Sequence, residues 1–211
     1  MIFLGLDFII SSLLWLFSIA FFVFIFRKQI KRFFSNKRSL ADFISQLKIY
    51  LEKNYPKINF DYDIIEKTKE HNDINVRMYL IVDNIILQYT KLELDRSKFP
   101  RSTPKSLQWG GYVFNSEPNR DKLPIDWKER KTALLTRDKQ TCFRCSKHLN
   151  TTTVQVHMIK PLENGGKYFL ENLIPVCSDC KKLLEPVGTK TPFLTIKHDL
   201  YNIVETHLYE G

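Results

Sequence analysis

From Phe8 to Phe26 the chain runs nineteen residues without a charge, FIISSLLWLFSIAFFVFIF. A helix rising about 1.5 Å per residue would cover roughly 28 Å over that stretch, close to the hydrocarbon thickness of a bilayer. No basic segment precedes the run and no small-residue cleavage site follows it, so a cleaved signal peptide fits poorly. The expectation is a transmembrane signal anchor over residues 1–26. Beyond it the apolar positions take up the helical period. Ser39 can cap a helix that ends near Asn54, with Asp42 three residues later and Leu40, Phe43, Ile44, Leu47 and Leu51 on one face. A longer helix is predicted from Asn72-Asp73, carrying Ile74, Met78, Ile81, Val82, Ile85, Tyr89 and Leu92. Residues 58–66, between the two, fit neither helix nor strand cleanly. Residues 39–95 therefore read as a helical membrane-proximal region. His71 stands alone there among polar residues and reads as surface.

The period is lost over residues 96–125, where Pro100, Pro104, Gly110, Gly111, Pro118 and Pro124 break the chain. This is a linker or an irregular lead-in, with enough apolar surface in Trp109, Tyr112, Val113 and Phe114 for part of it to pack. A helix resumes at Asp126, through Trp127, Arg130, Lys131, Leu134 and Leu135 to Arg137-Asp138. Val154 to Ile159 has strand character, Asn164-Gly165-Gly166 supplies turn residues, and Cys177 to Leu184 can form a helix. Thr191-Pro192 can open a last helix in residues 191–211, with Phe193, Ile196, Leu200, Ile203, Val204 and His207 roughly on one face. It should pack on the C-terminal domain that precedes it or on the earlier helices. The fold class that emerges is α+β: a transmembrane helix, a small helical region, and a C-terminal domain over residues 126–190.

Charge changes this picture only where it is local, and it is: the net +9 is unevenly spread and points to two polyanions. Residues 27–38 hold six basic side chains and no acid, and residues 39–119 balance. Residues 120–190 carry 14 basic groups against 8 acidic ones. The first cluster, beside the apolar run, is a juxtamembrane segment. By the positive-inside tendency it makes a single-pass membrane protein with a cytoplasmic C-terminal domain. Membrane lipid is then a partner of residues 1–38. The second cluster points to nucleic acid, DNA in the first instance, against the bland alternative of a solvated surface. No protein partner can be named.

The four cysteines are Cys142, Cys145, Cys177 and Cys180, two CxxC pairs with none left over. Paired thiolates in that arrangement match the tetrahedral positions of a structural Zn²⁺, and a reducing cytoplasm would keep them free for it. Two disulfides, or four unrelated buried cysteines, are the competing readings.

Arg130, Arg137-Asp138, Cys142, Cys145, His157, Pro161-Leu162, Gly165-Gly166, Asn172-Leu173, Cys177 and Cys180 together resemble the HNH endonuclease family. Its active site is a ββα element often braced by a four-cysteine zinc. The resemblance spans about residues 126–186 and is silent on residues 1–95. Carried over by position, it makes His157 a ligand of a catalytic divalent metal (Mg²⁺, Mn²⁺ or Ni²⁺). Asn172 becomes the residue that orders the loop and orients the base. The general-base position falls on Met158, whose thioether has no proton to exchange. The last ligand position falls on Lys181, whose ammonium would repel a dication. A register slip that made His157 the base would turn its ring away from the cleft. Glu185 and Asp179 are nearby groups that could restore a metal site, with surface or cap roles as the plainer reading. His148, His198 and His207 lie outside the motif, and the last two read as polar helix surface. Three functions stay open: a membrane-anchored HNH-type endonuclease with a rearranged site, a degenerate HNH fold that binds nucleic acid or docks protein, and a membrane adaptor whose zinc module binds protein only.

Overall fold

The computed structural model describes residues 15–19, 21–27, 39–114, 116, 123–186 and 192–209. Their elements are α1 (Leu40–Asn54), α2 (Ile64–Lys67), α3 (Ile74–Lys91), α4 (Trp127–Arg137), β1 (Gln155–Met158), β2 (Leu173–Val176), α5 (Ser178–Leu184) and α6 (Thr195–Tyr209). Residues 15–19 and 21–27 are helical, with apolar side chains such as Trp15, Phe17 and Phe24 exposed. Among the described residues no helix is long and apolar enough to cross a membrane. The span expected at residues 8–26 falls partly outside them, as does most of the basic segment 27–38.

Local chemistry sets the helix starts. Ser39 and Asp42 form a reciprocal capping box on α1, each backbone N–H donating to the other's side chain at 3.2 Å. Asp73 accepts from the Asn75 N–H at 2.8 Å and opens α3. The ambiguous stretch between them is extended up to α2, which runs on into a 3₁₀ turn. It is tied to α3 by a two-way bond between the Asp61 backbone and the Gln88 amide, 2.8 Å in each direction.

Phe43, Leu47 and Leu51 of α1 pack with Met78, Ile81, Val82, Ile85 and Tyr89 of α3 and with Ile196, Leu200 and Val204 of α6. The same continuous cluster takes in all four cysteines, Leu149, Val154, Ile174 and Val176. The helical region and the cysteine region thus share one core. β1 and β2 pair antiparallel, with His157 opposite Ile174 and Met158 opposite Leu173. Every residue of β2 is buried, because both faces of this small sheet are covered. A second cluster covers the other face: Ala133 and Leu134 of α4, Val156, Tyr168, Leu170 and Leu173. Trp109, Tyr112, Trp127 and Met158 pack against it, so the irregular stretch before α4 is anchored by its aromatics.

Two tertiary bonds correct the reading of the last helix. α6 begins at Thr195, not at Thr191-Pro192. Asp179, buried at the start of α5, accepts the N–H groups of Thr195 at 2.8 Å and Ile196 at 3.0 Å. A carboxylate from another helix therefore decides where α6 starts. Phe193, placed by periodicity on the apolar face, is 70% exposed, and the Lys182 ammonium lies over its ring. His207, read as polar surface, is buried edge-on to Phe43.

Arg144, inside the first CxxC pair, locks α3 to the cysteine region. It is buried, and its guanidinium donates to the Tyr89, Thr90 and Leu92 carbonyls at 2.6 to 3.1 Å, satisfying the open C-terminal end of α3. Arg144→Ala should destabilise the protein by about 2–4 kcal/mol, because those carbonyls would be left without donors in a buried joint. Arg144→Lys should recover only part of this, since one ammonium cannot reproduce the planar fork. Urea unfolding of the full-length protein in detergent micelles measures both.

Candidate functional site

The first knuckle is shaped before any metal enters. α4 ends at Arg137, and Lys139 and Gln140 then adopt left-handed conformations, at φ 53° and 56°. The Cys142 N–H donates to the Lys147 carbonyl at 2.8 Å and the Ser146 N–H to the Cys142 carbonyl at 2.8 Å, with Ser146 itself at φ 59°. The second knuckle uses a helix start: Cys177 is the N-cap of α5, accepting the Cys180 N–H at 3.4 Å.

These turns bring the four sulfurs within 4.8 Å of one another, all buried and none in a disulfide. Cys145 Sγ and Cys177 Sγ are 3.7 Å apart. A tetrahedron with metal–sulfur bonds of about 2.3 Å has edges of about 3.8 Å, so the spacing is that of a zinc tetrathiolate. Donors already face the thiolates. The Cys177 N–H reaches Cys142 Sγ at 3.3 Å, Arg144 Nη1 reaches Cys180 Sγ at 3.5 Å, and the Tyr89 hydroxyl lies 3.3 Å from the same sulfur. Burial, reinforced by the charge of Cys180, pushes the Tyr89 phenol far up, so it stays protonated and donates. Bonds to Cys142 drive Cys145 and Cys180 up and Cys177 down, the mutual influence of four like groups crowded together. The donor set fits a structural Zn²⁺. Neither Tyr89 nor Arg144 was legible as a partner of the sulfurs; an arginine between two ligand cysteines is the one local hint.

The loop from β1 to β2 is held at its centre by Asn172. Its Oδ1 accepts the Lys160 N–H at 2.7 Å, and its Nδ2 donates to the Lys160 and Lys167 carbonyls at 2.9 and 2.8 Å. The loop returns so closely at Gly166 that a Cβ there would lie 1.8 Å from the Lys160 carbonyl oxygen, and no other residue fits. From outside, α4 supplies two arginines. Fully buried Arg130 pairs with Asp126 at 2.8 Å and donates to the carbonyls of Val113 and Tyr168. Arg137 donates to Leu170 and Leu173 at 2.7 and 2.8 Å.

His157 and Met158 leave β1 on opposite sides. Met158 packs into the second apolar cluster. His157 faces α5, its Nδ1 2.7 Å from Glu185 Oε1. Lys181, one turn earlier on α5, donates from Nζ to that same oxygen at 2.6 Å and to the Val156 carbonyl at 2.7 Å. Burial works to raise the Glu185 carboxyl, but the bonds and charges of Lys181 and His157 prevail and hold it below the usual carboxylate range. A second, catalytic divalent ion does not fit this set. The one carboxylate beside His157 is shared with an ammonium, and a dication about 4 Å from an ammonium is repelled by roughly 8 kcal/mol at an effective dielectric constant of about 20. Of the groups that could have restored a metal site, Glu185 is at the cleft and Asp179 is committed to capping α6. His148 pairs with Thr141 beside the first knuckle, and His198 is exposed on α6 next to Asn202. Neither joins His157.

Zinc and the joint should fall together. Cys177→Ser should reduce zinc below one ion per chain by elemental analysis and lower the helical circular dichroism, because the sulfurs sit in the core that α3 shares. Structural zinc sites supply about 10–16 kcal/mol of binding energy to such folds.

The HNH endonuclease family model matches residues 142–184. No curated protein and no solved structure matches the chain. The matched segment holds both knuckles, the β1–loop–β2 hairpin with Asn172, and α5. Residues 142–184 are thus similar to the HNH endonuclease family, and they hold four cysteines placed to bind a zinc ion.

Proposed function

We propose that this protein binds nucleic acid, DNA in the first instance, through an HNH-type ββα cleft, and that residues 1–38 tether it to a membrane with the cleft in the cytoplasm. The observation that carries the binding reading is the Asn172-stapled loop of the HNH module, which bears exposed Lys160 and Lys167 beside His157. The surrounding residues 120–190 carry 14 basic groups against 8 acidic ones, which suits a polyanion. Tethering rests on the uncharged run 8–26 and the six basic residues that follow it.

Binding without the family's hydrolytic step is the favoured form of this function, because the base position holds a thioether turned into an apolar cluster. The cleaving form has one observation in its favour: His157 and Glu185 stand together at 2.7 Å. Plasmid nicking by the full-length protein in detergent, with Mg²⁺, Mn²⁺ or Ni²⁺, separates the two. No metal-dependent nicking is expected, in the wild type or in His157→Ala. Metal-dependent nicking that His157→Ala abolishes would establish the nuclease instead. Duplex affinity should fall steeply with salt, log K against log[salt] having a slope of about −0.9 per phosphate contacted. An absence of salt-dependent affinity would favour a protein-binding adaptor.

A further inference from the structure

The HNH-type cleft has a cation in it already. Lys181 Nζ is fixed from two sides, by the Val156 carbonyl at 2.7 Å and by Glu185 Oε1 at 2.6 Å, and Glu185 also holds His157 at 2.7 Å. The three side chains form one cluster across the strand–helix junction, with the His157 and Lys181 side chains 15% and 30% exposed. A flexible surface lysine would have neither a backbone carbonyl nor a shared carboxylate to hold it. An ammonium has three N–H donors, and these two bonds leave one for a ligand at the open side of the cleft.

We propose that Lys181, seated by Val156 and Glu185 beside His157, is a built-in monovalent cation that takes the place of a divalent ion in this cleft and grips a backbone phosphate of nucleic acid without metal. The inference rests on the nucleic-acid reading above and adds which atom meets the phosphate and why no second metal is needed. Lysine is a competent phosphate ligand as a point charge. Its two protein bonds hold it in place before the ligand arrives, which lowers the entropy cost of binding. Glu185 neutralises part of the charge at rest and orients both neighbours. Exposed Lys160 and Lys167 stand at the two ends of the span that Asn172 staples, on the loop that follows His157.

The test uses the full-length protein in detergent micelles, in buffer stripped of free divalent ions, with zinc content checked by elemental analysis. Binding of a fluorescent DNA duplex is followed by anisotropy with and without Mn²⁺, and Mn²⁺ uptake by electron paramagnetic resonance. The wild type should bind the duplex equally well with and without Mn²⁺ and should take up no Mn²⁺ at the cleft. Lys181→Ala should keep its zinc but lose affinity, with the salt slope smaller by about 1. Lys181→Arg, which preserves a cation, should keep most of the affinity. Lys181→His should gain one Mn²⁺ that is lost again when His157→Ala is added. The inference is overturned if the wild type binds a Mn²⁺ that His157→Ala removes, or if zinc-replete Lys181→Ala binds duplex with unchanged affinity and slope. If the wild type binds no duplex at any salt, the nucleic-acid reading fails and the phosphate role fails with it. The Mn²⁺ arms then still decide separately whether Lys181 excludes the ion.

Discussion

Four sulfurs gathered within 4.8 Å cannot all be thiolates without a cation among them, and the rest of the described structure is arranged around that constraint. The knuckles do more than brace the hairpin between them. Arg144 carries the first knuckle to the C-terminal end of α3, and Tyr89 returns the contact from α3 to Cys180. Asp179, between the second pair of cysteines, sets the start of α6. The metal centre is therefore the joint at which the N-terminal helices, the hairpin and the last helix meet. A zinc ion here stabilises one common core, not a small module hung on a linker.

In the cleft, the groups that hold the loop are distinct from the side chains at the positions where the resemblance places chemistry. The atoms that hold the loop belong to Asn172, Arg130 and Arg137 and bond mainly to backbone carbonyls. Side chains at positions that would do chemistry bond elsewhere or not at all. Met158 contributes to packing, which a thioether does well. Lys181 and Glu185 neutralise one another across a turn of α5. Loop geometry therefore does not depend on a base or on a catalytic metal, and an HNH-type hairpin persists with a lysine in its cleft.

Much of the architecture was legible in the chain because its causes are local. Ser39 with Asp42, and Asp73 ahead of Ile74, mark helix starts within a few residues of sequence. The apolar period of α1 and α3 predicts the buried Phe43, Leu47 and Leu51 and the buried Met78, Ile81, Val82, Ile85 and Tyr89, although Ile74, at the start of the predicted α3 face, is exposed. Gly165-Gly166 marks a turn whose tightness admits nothing larger at Gly166.

What the chain could not disclose was decided at long range. Periodicity put Phe193 on a buried face, and side-chain type made His207, on that same face, read as polar surface, because neither the Asp179 bonds that start α6 at Thr195 nor the packing of His207 on Phe43 is written within one helical turn. A cap role was the plainer reading of Asp179, but the helix it caps, through amides sixteen and seventeen residues on, was not legible locally. Lys181 looked like a charge in the wrong place until the Val156 carbonyl and Glu185 were found holding it. The sequence by itself determined the four cysteine ligands, the first strand, the turn and most of the buried faces of α1 and α3, since spacing and side-chain type carry these. Tertiary structure alone decided what each charged group is paired with, because a charge takes its meaning from whatever the fold brings within about 4 Å of it.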